Sequence, residues 1–386
     1  MQQSNQTVAV VGGGVIGLSC AICLAQLNIS VQLFARRPDA DIDTVSYDAR
    51  TYALSQASVD LLKAAGVTPL LSRYSDFEAL EVWDANSSGR IHFDASDMGA
   101  QRLGIILEHK CLIDALWQRI NQLGSIHCSD TQIISANVSK GGIVEAELQS
   151  GEQRQFSLVI GADGIHSRVR RLMGVKWFVK DYQQTAFAYI VQTAKDHKMT
   201  GWQRFSANGV LAFLPLADRV CAVVWSYPNS SALRIAELNN EDLIKITEQE
   251  IEGCLGELSL LSSVASVELR GGYVDRYVIP GMMLIGDAAH NIHPLAGQGA
   301  NLGYADLAVL LRLLDERNGR LSYPLLRRYE RTVKGYNQCM KVGLEYLLWL
   351  FFNQSPMWIY ARTGGLHLVN RMPTLKNFFI RQAGGG

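Results

Sequence analysis

The feature that most constrains the fold is a run of glycines near the start of the sequence. An apolar, β-branched stretch, Thr7 to Val11, predicts a buried strand, and Gly12, Gly14 and Gly17 follow it where an Ala- and Leu-rich helix begins. This spacing permits a tight turn, close approach of the backbone to a pyrophosphate and tight packing of the helix. Taken alone, it also fits an ordinary strand-to-helix turn. Because a second strand follows at Ser30 to Phe34, the sequence favours a dinucleotide-binding βαβ unit.

The start of this helix and the end of the second strand supply further candidates for cofactor binding. Val15 and Ile16 begin the helix, whose unpaired N–H groups and positive dipole end are expected to face phosphates. The second strand runs into Ala35, Arg36 and Arg37 rather than into the acidic residue that binds ribose hydroxyls in such folds. We expect either that water or main chain holds the ribose or that the adenosine end binds weakly. Arg36 and Arg37 are candidates for contacts with the cofactor.

Composition excludes several classes of function. The chain has 386 residues, 48% of them hydrophobic, which is ample for two domains with a common boundary. Lys plus Arg equals Asp plus Glu at 36 each, so no global field attracts nucleic acid. Seven scattered cysteines without a signal peptide predict reduced thiols in the cytoplasm, and no metal is implied. No apolar run reaches the roughly 20 residues that span a bilayer, so we expect a soluble protein, at most peripheral at the inner face of a membrane.

Strand signals later in the chain have two different textures. Phe156 to Ile160 and Met282 to Ile285 predict short buried strands that run into glycine. Thr185 to Thr193, Val210 to Tyr227 and Leu80 to Phe93 are rich in β-branched and aromatic residues and predict antiparallel strands. We predict an α/β fold: a Rossmann-like domain, an inserted β-sheet substrate domain and a C-terminal helical tail. The predicted boundaries are 1–75, 101–175 and 271–330 for the Rossmann-like domain, 76–100 and 176–270 for the substrate domain, and 331–386 for the tail.

Two short carboxylates stand where predicted strands end. Asp163 in GADGIHSRVRR and Asp287 in GDAAHNIHPLAGQGANLG can accept hydrogen bonds from sugar hydroxyls at the carboxyl edge of the sheet. A single Asp at such a place also serves as a helix N-cap, so both interpretations stay open. His290 and His293 belong to residue types that pack or cap more often than they catalyse. The cofactor-binding candidates of the second segment are Gly286, Asp287, Pro294, Gly297, Gln298, Gly299, Ala300 and Asn301.

Four motifs, in this order, resemble those of the single-component flavoprotein aromatic monooxygenases. They are GGGVIGL near the start, DARTYALS from Asp48, GADGIHSRVR from Gly161 and GDAAHNIHPLAGQGANLG from Gly286. Within that family the sequence is similar to the ubiquinone-biosynthesis hydroxylases, particularly those that act on C5 of a polyprenylphenol ring. LEVWDANSSGRIHFDASDMG from Leu80 and LAFLPLADRVCAVVWS from Leu211 carry this likeness, which extends through nearly the whole chain.

The resemblance implies FAD as the cofactor. It implies that the glycine turn holds the FAD pyrophosphate, that Asp287 binds the ribityl chain and that Pro294 to Asn301 line the flavin. The amides of this loop are expected to stabilise the negative charge of reduced flavin. Arg50 is expected to reach the phosphates or the flavin, and Asp163 to serve the segment that FAD and NAD(P)H share. Arg50 and His293 are the candidates for a catalytic role.

Two positions depart from the family pattern. Ala35 stands where the family usually has Glu, which puts FAD affinity in question, and His109 stands where Asn is common. The implied reaction uses NAD(P)H as a transient reductant of FAD, and O2, to hydroxylate a lipid-tailed phenol. Two alternatives remain. One is another flavoenzyme, such as a halogenase or an epoxidase, although the halogenase signature W-x-W-x-I-P is absent. The other, suggested by Ala35, is a binding subunit of a biosynthetic complex that has lost its flavin.

The predicted substrate site is a dry, aromatic-lined wall on the antiparallel strands, facing the flavin and continuing into an apolar channel for the lipid tail. Its candidate residues are Phe213, Leu214, Val223 and Trp225. Because side chains alternate along a strand, only every second one is available to a cavity. The same residues also fit the core of the substrate domain, so that interpretation stays open.

The C-terminal segment from Leu344 to Phe379 is aromatic-rich and basic. It contains the cations Arg362, Arg371, Lys376 and Arg381. A basic amphipathic helix is expected to dock on a membrane surface or on partner enzymes of ubiquinone biosynthesis. A helix packed on the protein's own core is the alternative.

Overall fold

A computed structural model describes residues 7–38, 42–43, 45–293, 295 and 299–372. The strands of these residues are β1 (Thr7–Val11), β2 (Ser30–Phe34), β3 (Thr51–Ser55), β4 (Ser75–Phe77), β5 (Ala79–Asp84), β6 (Arg90–Asp94), β7 (Gly104–Glu108), β8 (Ile126–Ser129), β9 (Ile133–Val138), β10 (Val144–Leu148), β11 (Gln153–Phe156), β12 (Leu158–Gly161), β13 (Trp177–Thr193), β14 (Thr200–Ser206), β15 (Gly209–Pro215), β16 (Val220–Pro228), β17 (Leu258–Leu260), β18 (Ala265–Val274), β19 (Val278–Ile279), β20 (Met282–Leu284) and β21 (His290–Asn291). The helices are α1 (Val15–Gln26), α2 (Gln56–Ala64), α3 (His109–Leu123), α4 (Arg168–Leu172), α5 (Asn229–Ala236), α6 (Asn240–Glu250), α7 (Gly299–Asp315), α8 (Tyr323–Phe352) and α9 (Pro356–Arg371).

The first sheet has the strand order β19-β20-β12-β1-β2-β8. Its strands are parallel except β19, which runs antiparallel to β20. β1 lies inside the sheet because its central residues, Val8, Ala9 and Val10, are fully buried and apolar. The predicted βαβ unit is confirmed by β1, α1 and β2. Two small sheets, β3-β7-β4 and β9-β10-β11, accompany this part of the chain.

The second, large sheet has the order β21-β18-β13-β16-β15-β14-β5-β6, with β17 paired to β13. Its neighbours are antiparallel except β14 and β5, which run parallel. The three stretches that predicted antiparallel strands all lie in this sheet. The predicted α/β fold, with a separate β-sheet region and a helical C-terminal part, is confirmed; the domain boundaries stay a prediction.

Side chains of the large sheet alternate between two faces with different surroundings. On one face, which we call the helix face, Phe213, Val223 and Trp225 form one buried cluster with apolar side chains of α5 and α6. On the opposite face, which we call the cleft face, Val210 clusters with α8. Leu214, four residues further along β15 and on the same face, clusters with β7 instead. The cleft face is therefore covered at its two ends by different parts of the chain.

The C-terminal helices close one end of the cleft face. α8 buries Leu344, Leu348 and Phe351 against it, as expected for a long helix with an apolar stripe. α9 is fixed by Arg362, whose Nε lies 2.6 Å from Oδ2 of Asp84 in β5, with both side chains 1% exposed. Arg362 also donates to two backbone oxygens at and just after the end of α8. Within the described residues, we find no helix with both the length and the apolar composition needed to cross a bilayer.

Candidate functional site

The glycine turn between β1 and α1 has no room for a side chain at Gly12 or Gly17. Gly12 has a φ of +132°, and a Cβ on it would lie 2.2 Å from the backbone oxygen of Ala162. A Cβ on Gly17 would lie 2.1 Å from the oxygen of Gly12. Gly14 is the N-cap of α1 and supplies no side-chain cap, so the first-turn N–H groups are left for a ligand.

Ile16 joins this turn to two distant glycine-rich segments. A Cβ on Gly303 in α7 would lie 2.7 Å from Cγ1 of Ile16, and one on Gly286 would lie 3.5 Å from the same atom. Val15 beside it is buried. The start of α1, the end of β20 and the start of α7 therefore meet at one place, which brings together three of the predicted cofactor-binding segments.

Asp287 lies at this meeting point, in a 3-10 turn after β20. Its side chain is half-buried. Burial raises the pKa of this carboxyl, and the charges of His290 and Arg50 and a hydrogen bond from Asn291 oppose that rise. Asp287 thus keeps a carboxylate near the glycine turn, where it can accept hydrogen bonds from a sugar alcohol.

Asp306 of α7 holds the turn that carries Asp287 by hydrogen bonds to its two flanks. The sequence had not marked Asp306 as a site residue. Its Oδ2 accepts hydrogen bonds from the backbone N of Gly286 at 2.9 Å and from Nε2 of His290 at 2.6 Å. Its Oδ1 accepts from Asn337 at 3.2 Å. Burial opposes protonation of His290, but Asp306 outweighs it and raises the pKa of His290. His290 therefore packs in a buried ion pair. A lone carboxylate within the apolar run of α7 is the signal that could have revealed Asp306.

Arg50 immediately precedes β3 and lies beside an aromatic and a histidine side chain. The hydroxyl of Tyr52 lies 2.8 Å from Nδ1 of His109, and the guanidinium carbon of Arg50 lies 5.8 Å from the centre of the Tyr52 ring. Burial, with help from the Arg50 charge, lowers the pKa of His109 to about 4. Arg50 itself is exposed and interacts electrostatically with Asp287. His109, the residue that departs from the family, is thus a neutral partner of Tyr52 at the edge of the same site.

Glu108 fixes the segment that carries Arg50, although the sequence analysis gave it no role. It is fully buried and accepts hydrogen bonds from the backbone N of Asp48 at 2.7 Å and from Nε of Arg73 at 2.6 Å. Asp48 in turn accepts from the backbone N of Arg50 at 2.9 Å. The start of the DARTYALS motif is therefore held in place by a buried carboxylate that lies 60 positions later in the sequence.

Asp163 serves a helix in this structure. Its Oδ1 accepts from the hydroxyl of Ser167, and its Oδ2 accepts from the backbone N of Arg168 at 2.6 Å and of Val169 at 3.1 Å. These groups belong to the start of α4, so the capping interpretation that the sequence left open describes these contacts. A direct role toward FAD or NAD(P)H stays a prediction.

His293 lies between the cleft face and the glycine-rich loop. Its Nε2 is 2.8 Å from Oε1 of Gln184 in β13, and its backbone N donates to the hydroxyl of Tyr182 at 3.0 Å. Its Nδ1 is buried without a partner among the described residues. Burial lowers the pKa of His293 to about 4, so the ring is neutral at pH 7. The predicted catalytic role stays a prediction; the geometry offers one free ring nitrogen.

The described part of the glycine-rich loop is the start of α7. Asn301 accepts from the backbone N of Ser55 at 3.0 Å and donates to the oxygen of Ala53 at 2.8 Å, so its side chain ties α7 to β3. Gly299 and Ala300 form the first turn of the helix and are half-buried. The predictions for Pro294, Gly297 and Gln298 lie outside the described residues.

The end of β2 carries the exposed side chains of Arg36 and Arg37. Ala35 is buried, and its backbone N donates to the backbone oxygen of Ser129 at 3.1 Å. Its Cβ would lie 3.1 Å from a Cβ placed on Gly13. Ala35 thus brings the end of β2 beside the glycine turn, and the contacts of the two arginines with a cofactor stay a prediction.

The four candidates for the substrate wall do not share a face. Phe213, Val223 and Trp225 are at most 1% exposed and fill the core beneath α5 and α6 on the helix face. Leu214 alone belongs to the cleft face. Strand alternation turns three of the four away from the cleft, and their role toward a substrate stays a prediction. The cleft face contacts His293 through Gln184.

FAD is the group that the sequence resemblance implies, and the described residues fit it. The turn leaves open space at Gly14 and uncapped N–H groups at the start of α1 for a pyrophosphate, and Asp287 presents a half-buried carboxylate nearby. The orphaned Nδ1 of His293 is a polar atom that a bound group can satisfy. The donor set therefore suits a dinucleotide whose sugar-alcohol part lies beside Asp287.

Comparisons with known proteins agree with this geometry. A family model described as an FAD binding domain matches residues 5–338. The 3-demethoxyubiquinol 3-hydroxylase of Escherichia coli (strain K12) is 33% identical over 394 residues, covering 100% of both chains. The ubiquinone hydroxylase UbiL of Rhodospirillum rubrum is 30% identical and covers 98% of this chain and 89% of its own. PqsL of P. aeruginosa, crystallised with 2-aminobenzoylacetate, shares the fold with a TM-score of 0.76 at 21% identity, covering 94% of this chain and 99% of its own.

Proposed function

The chain belongs to the family of this FAD binding domain, and on that basis we propose that it hydroxylates the aromatic ring of a polyprenylated phenol in ubiquinone biosynthesis, using NAD(P)H and O2. It is an FAD-dependent monooxygenase. The observation that carries the proposal is the convergence of the Gly12 turn, the Asp287 turn and the start of α7 at one place beside the cleft face. When bound there, FAD supplies the chemistry, since it takes electrons from NAD(P)H and reacts with O2.

The protein's own residues then bind, orient and exclude water. The first-turn N–H groups of α1 hold the pyrophosphate, and the Asp287 carboxylate accepts hydrogen bonds from the sugar-alcohol chain. Asp306 keeps Asp287 in place through the backbone N of Gly286. His293 is neutral and its Nε2 donates to Oε1 of Gln184, which leaves Nδ1 free to accept one hydrogen bond without adding a charge to the cleft.

The chemistry of the cleft face supports a phenol with an apolar tail. Its two clusters are apolar, and the side chains between them are small or uncharged. A carboxylate substrate would call for an Arg that binds it in a bidentate manner. The names of the two bacterial relatives, a demethoxyubiquinol hydroxylase and a ubiquinone hydroxylase, support the same substrate class.

Flavin content and substrate-stimulated turnover test the proposal. We expect the purified protein to be yellow, to oxidise NAD(P)H faster when a prenylated phenol is present, and to yield a product heavier by one oxygen atom. A colourless protein that oxidises no NAD(P)H would instead support a flavin-deficient binding subunit. A yellow protein whose NAD(P)H oxidation ignores every phenol, but follows an alkene or a halide, would point to an epoxidase or a halogenase.

We further propose that the C-terminal helices dock on an anionic lipid surface. Tyr346, Trp349 and Tyr360 are 56%, 46% and 79% exposed, which is unusual for aromatic side chains of neighbouring helices. The sequence after Glu345 contains no Asp or Glu and four Lys or Arg residues. Exposed aromatic rings and an excess of positive charge match the interface of an anionic bilayer. Arg362, predicted as one of the docking cations, is buried with Asp84 and is not available.

The part of the tail that faces lipid is therefore smaller than the sequence suggested. Leu344, Leu348 and Phe351 pack on the protein's own core. Co-sedimentation with vesicles tests the remainder. The wild type should bind anionic vesicles more tightly than neutral ones, and the folded double variant Trp349→Ser with Tyr360→Ser should bind anionic vesicles less. Equal binding by wild type and variant would refute the docking.

A further inference from the structure

A row of small side chains crosses the middle of the cleft face. The pairing register aligns one residue from each of four neighbouring strands, β13, β16, β15 and β14: Ala188, Val224, Ala212 and Gln203. Because neighbouring strands lie ~4.8 Å apart, these four side chains span roughly 14 Å. Three of the four are small and apolar, and Gln203 at one end is the polar member.

Larger apolar side chains bound this row on both sides. Two residues along the strands in one direction, Phe205 stacks on Phe351 of α8 with ring centres 4.0 Å apart. Two residues along in the other direction, Ile190 and Leu214 pack with Ile106 of β7. Because the side chains of the row are shorter than those on either side, the row forms the floor of a depression between two apolar walls.

The floor of this depression is accessible at the Ala188 end, whereas Ala212 and Gln203 are 3% and 4% exposed. Ala188 and Val224 are partly exposed although they lie on strands inside the large sheet. Their helix-face neighbours Val223 and Trp225 are at most 1% exposed. On the same face, Gln184 holds His293 at the entrance to the glycine-rich loop, so the depression borders the FAD side of the molecule.

Gln203 has an unused amide at the end of the floor. Its residue is 4% exposed, and across the described residues its side chain makes no hydrogen bond or ion pair. Its neighbours Trp202 and Arg204 point to the helix face, where Arg204 pairs with Glu250 of α6. Alternation therefore turns Gln203 to the cleft face. An amide that makes no hydrogen bond within the protein is left for a ligand hydroxyl.

We propose that this depression holds the aromatic ring of the substrate and that the Gln203 amide orients the ring by a hydrogen bond to its hydroxyl. The inference rests on the proposed function and names the substrate subsite within it. The flat apolar ring lies on Ala188, Val224 and Ala212, and its oxygen substituent lies against Gln203. With no cation in the row, the site selects a neutral phenol over a carboxylate.

The first test removes the amide with little change in volume. Gln203→Leu should keep the flavin content and the unfolding midpoint of the wild type, because no contact with protein is lost. Its KM for a prenylated phenol should rise about tenfold, and product formed per NAD(P)H consumed should fall about threefold or more. Gln203→Asn should restore part of the loss. The matched control is Gln155→Leu on the exposed side of β11, which should behave as wild type.

A second variant tests the floor independently. Ala212→Val adds two methyl groups to the depression and should raise KM without changing flavin content. Wild-type KM and coupling in both Gln203→Leu and Ala212→Val would overturn the inference, while the proposed function would stand. Loss of flavin or of folding in Gln203→Leu would mean a structural role and would also overturn it. A wild-type protein that neither hydroxylates a prenylated phenol nor shows a change in flavin absorbance on titration with it would refute the proposed function itself.

Discussion

The helix face and the cleft face of the large sheet are made by the same strands but have opposite properties. On the helix face the side chains are large, such as Phe213 and Trp225, and they are sealed beneath two helices. On the cleft face the central side chains are small, such as Ala212 and Ala188, and some remain accessible. The helix face therefore contributes more to the stability of the fold, because it buries larger apolar side chains. The cleft face has accessible small side chains and can bind a ligand.

This difference shows how one strand serves two purposes. Each step along β15 or β16 moves a residue from the core to the cleft. A large-to-small change is expected to cost stability on the helix face and to affect substrate use on the cleft face. Variants on the two faces should therefore differ in which of these two properties they change.

The largest effect on stability is expected at Trp225. Trp225→Ala should lower the free energy of unfolding by roughly 3–5 kcal/mol, since it leaves a cavity beneath α5 and α6. Trp225→Phe should cost less than about 1.5 kcal/mol, because the indole Nε1 has no partner among the described residues. Urea unfolding measures both. On the cleft face, Val224→Ala should also cost less than about 1.5 kcal/mol; a loss as large as that of Trp225→Ala would mean that the two faces are alike.

The closed end of the cleft face depends on one buried ion pair. Arg362→Ala should destabilise the protein by about 3 kcal/mol or more, since it leaves the Asp84 carboxylate buried and uncompensated. Limited proteolysis should then cut α9 before the rest of the chain. Arg270→Ala is the matched control, because its pair with Glu268 is 61% and 63% exposed and should contribute at most about 1 kcal/mol. Equal losses would contradict the assignment.

The two carboxylates at strand ends, Asp287 and Asp163, allow an effect on FAD binding to be separated from an effect on stability. Asp287→Ala should weaken FAD binding by about 10- to 100-fold, as loss of a charged hydrogen bond worth roughly 1.5–3 kcal/mol predicts. Asp163→Ala should instead cost about 1 kcal/mol of stability, because it removes the acceptor of two backbone N–H groups at the start of α4. Titration of the apoprotein with FAD and urea unfolding give the two quantities. Full FAD affinity in Asp287→Ala would refute its role.

Acid should act on the cleft side through His293. Its pKa in the folded protein is about 4, below the usual 6.5, so the unfolded chain binds the proton more readily. The stability contributed by the neutral ring is therefore present above pH 6.5 and is lost as the pH falls towards 4. Between pH 7 and 5 the wild type should lose about 2 kcal/mol more than His293→Gln. Parallel pH profiles for the two proteins would contradict the burial of a neutral His293.

Much of the fold could be predicted from the sequence, because the local signals were strong. The βαβ start follows from β-branched residues, three glycines and an apolar helix, and the antiparallel strands follow from their aromatic and β-branched content. The sequence could not predict which face of the large sheet packs on the core and which one lines the cleft. Phe213, Val223 and Trp225 were expected at the substrate because they are aromatic or apolar, yet apolar side chains fit a core equally well. Register and the position of α5 and α6 decide between the two.

The polar contacts of the site depend on long-range packing, and sequence reasoning missed several of them. Asp306 accepts a hydrogen bond from the backbone N of Gly286, 20 positions earlier in the sequence, and Glu108 accepts one from the backbone N of Asp48, 60 positions earlier. A carboxylate in an apolar helix marks Asp306 as unusual but does not identify its partners, and nothing local marks Glu108. Asp163 and Asp287 follow the same strand-end pattern, and only the structure distinguishes the helix cap from the half-buried carboxylate beside the glycine turn.

The origin of the oxygen atom in the product decides whether the protein is a flavin-dependent hydroxylase of a prenylated phenol. The purified protein, supplied with NAD(P)H and ¹⁸O2, would be given a prenylated phenol or a soluble hydroxybenzoate. We expect one ¹⁸O atom in the ring of the prenylated phenol, none from labelled water, and NAD(P)H consumption coupled to that product. Label only in the soluble acid would contradict the substrate assignment, and label from water or none at all would contradict a flavin-dependent hydroxylation.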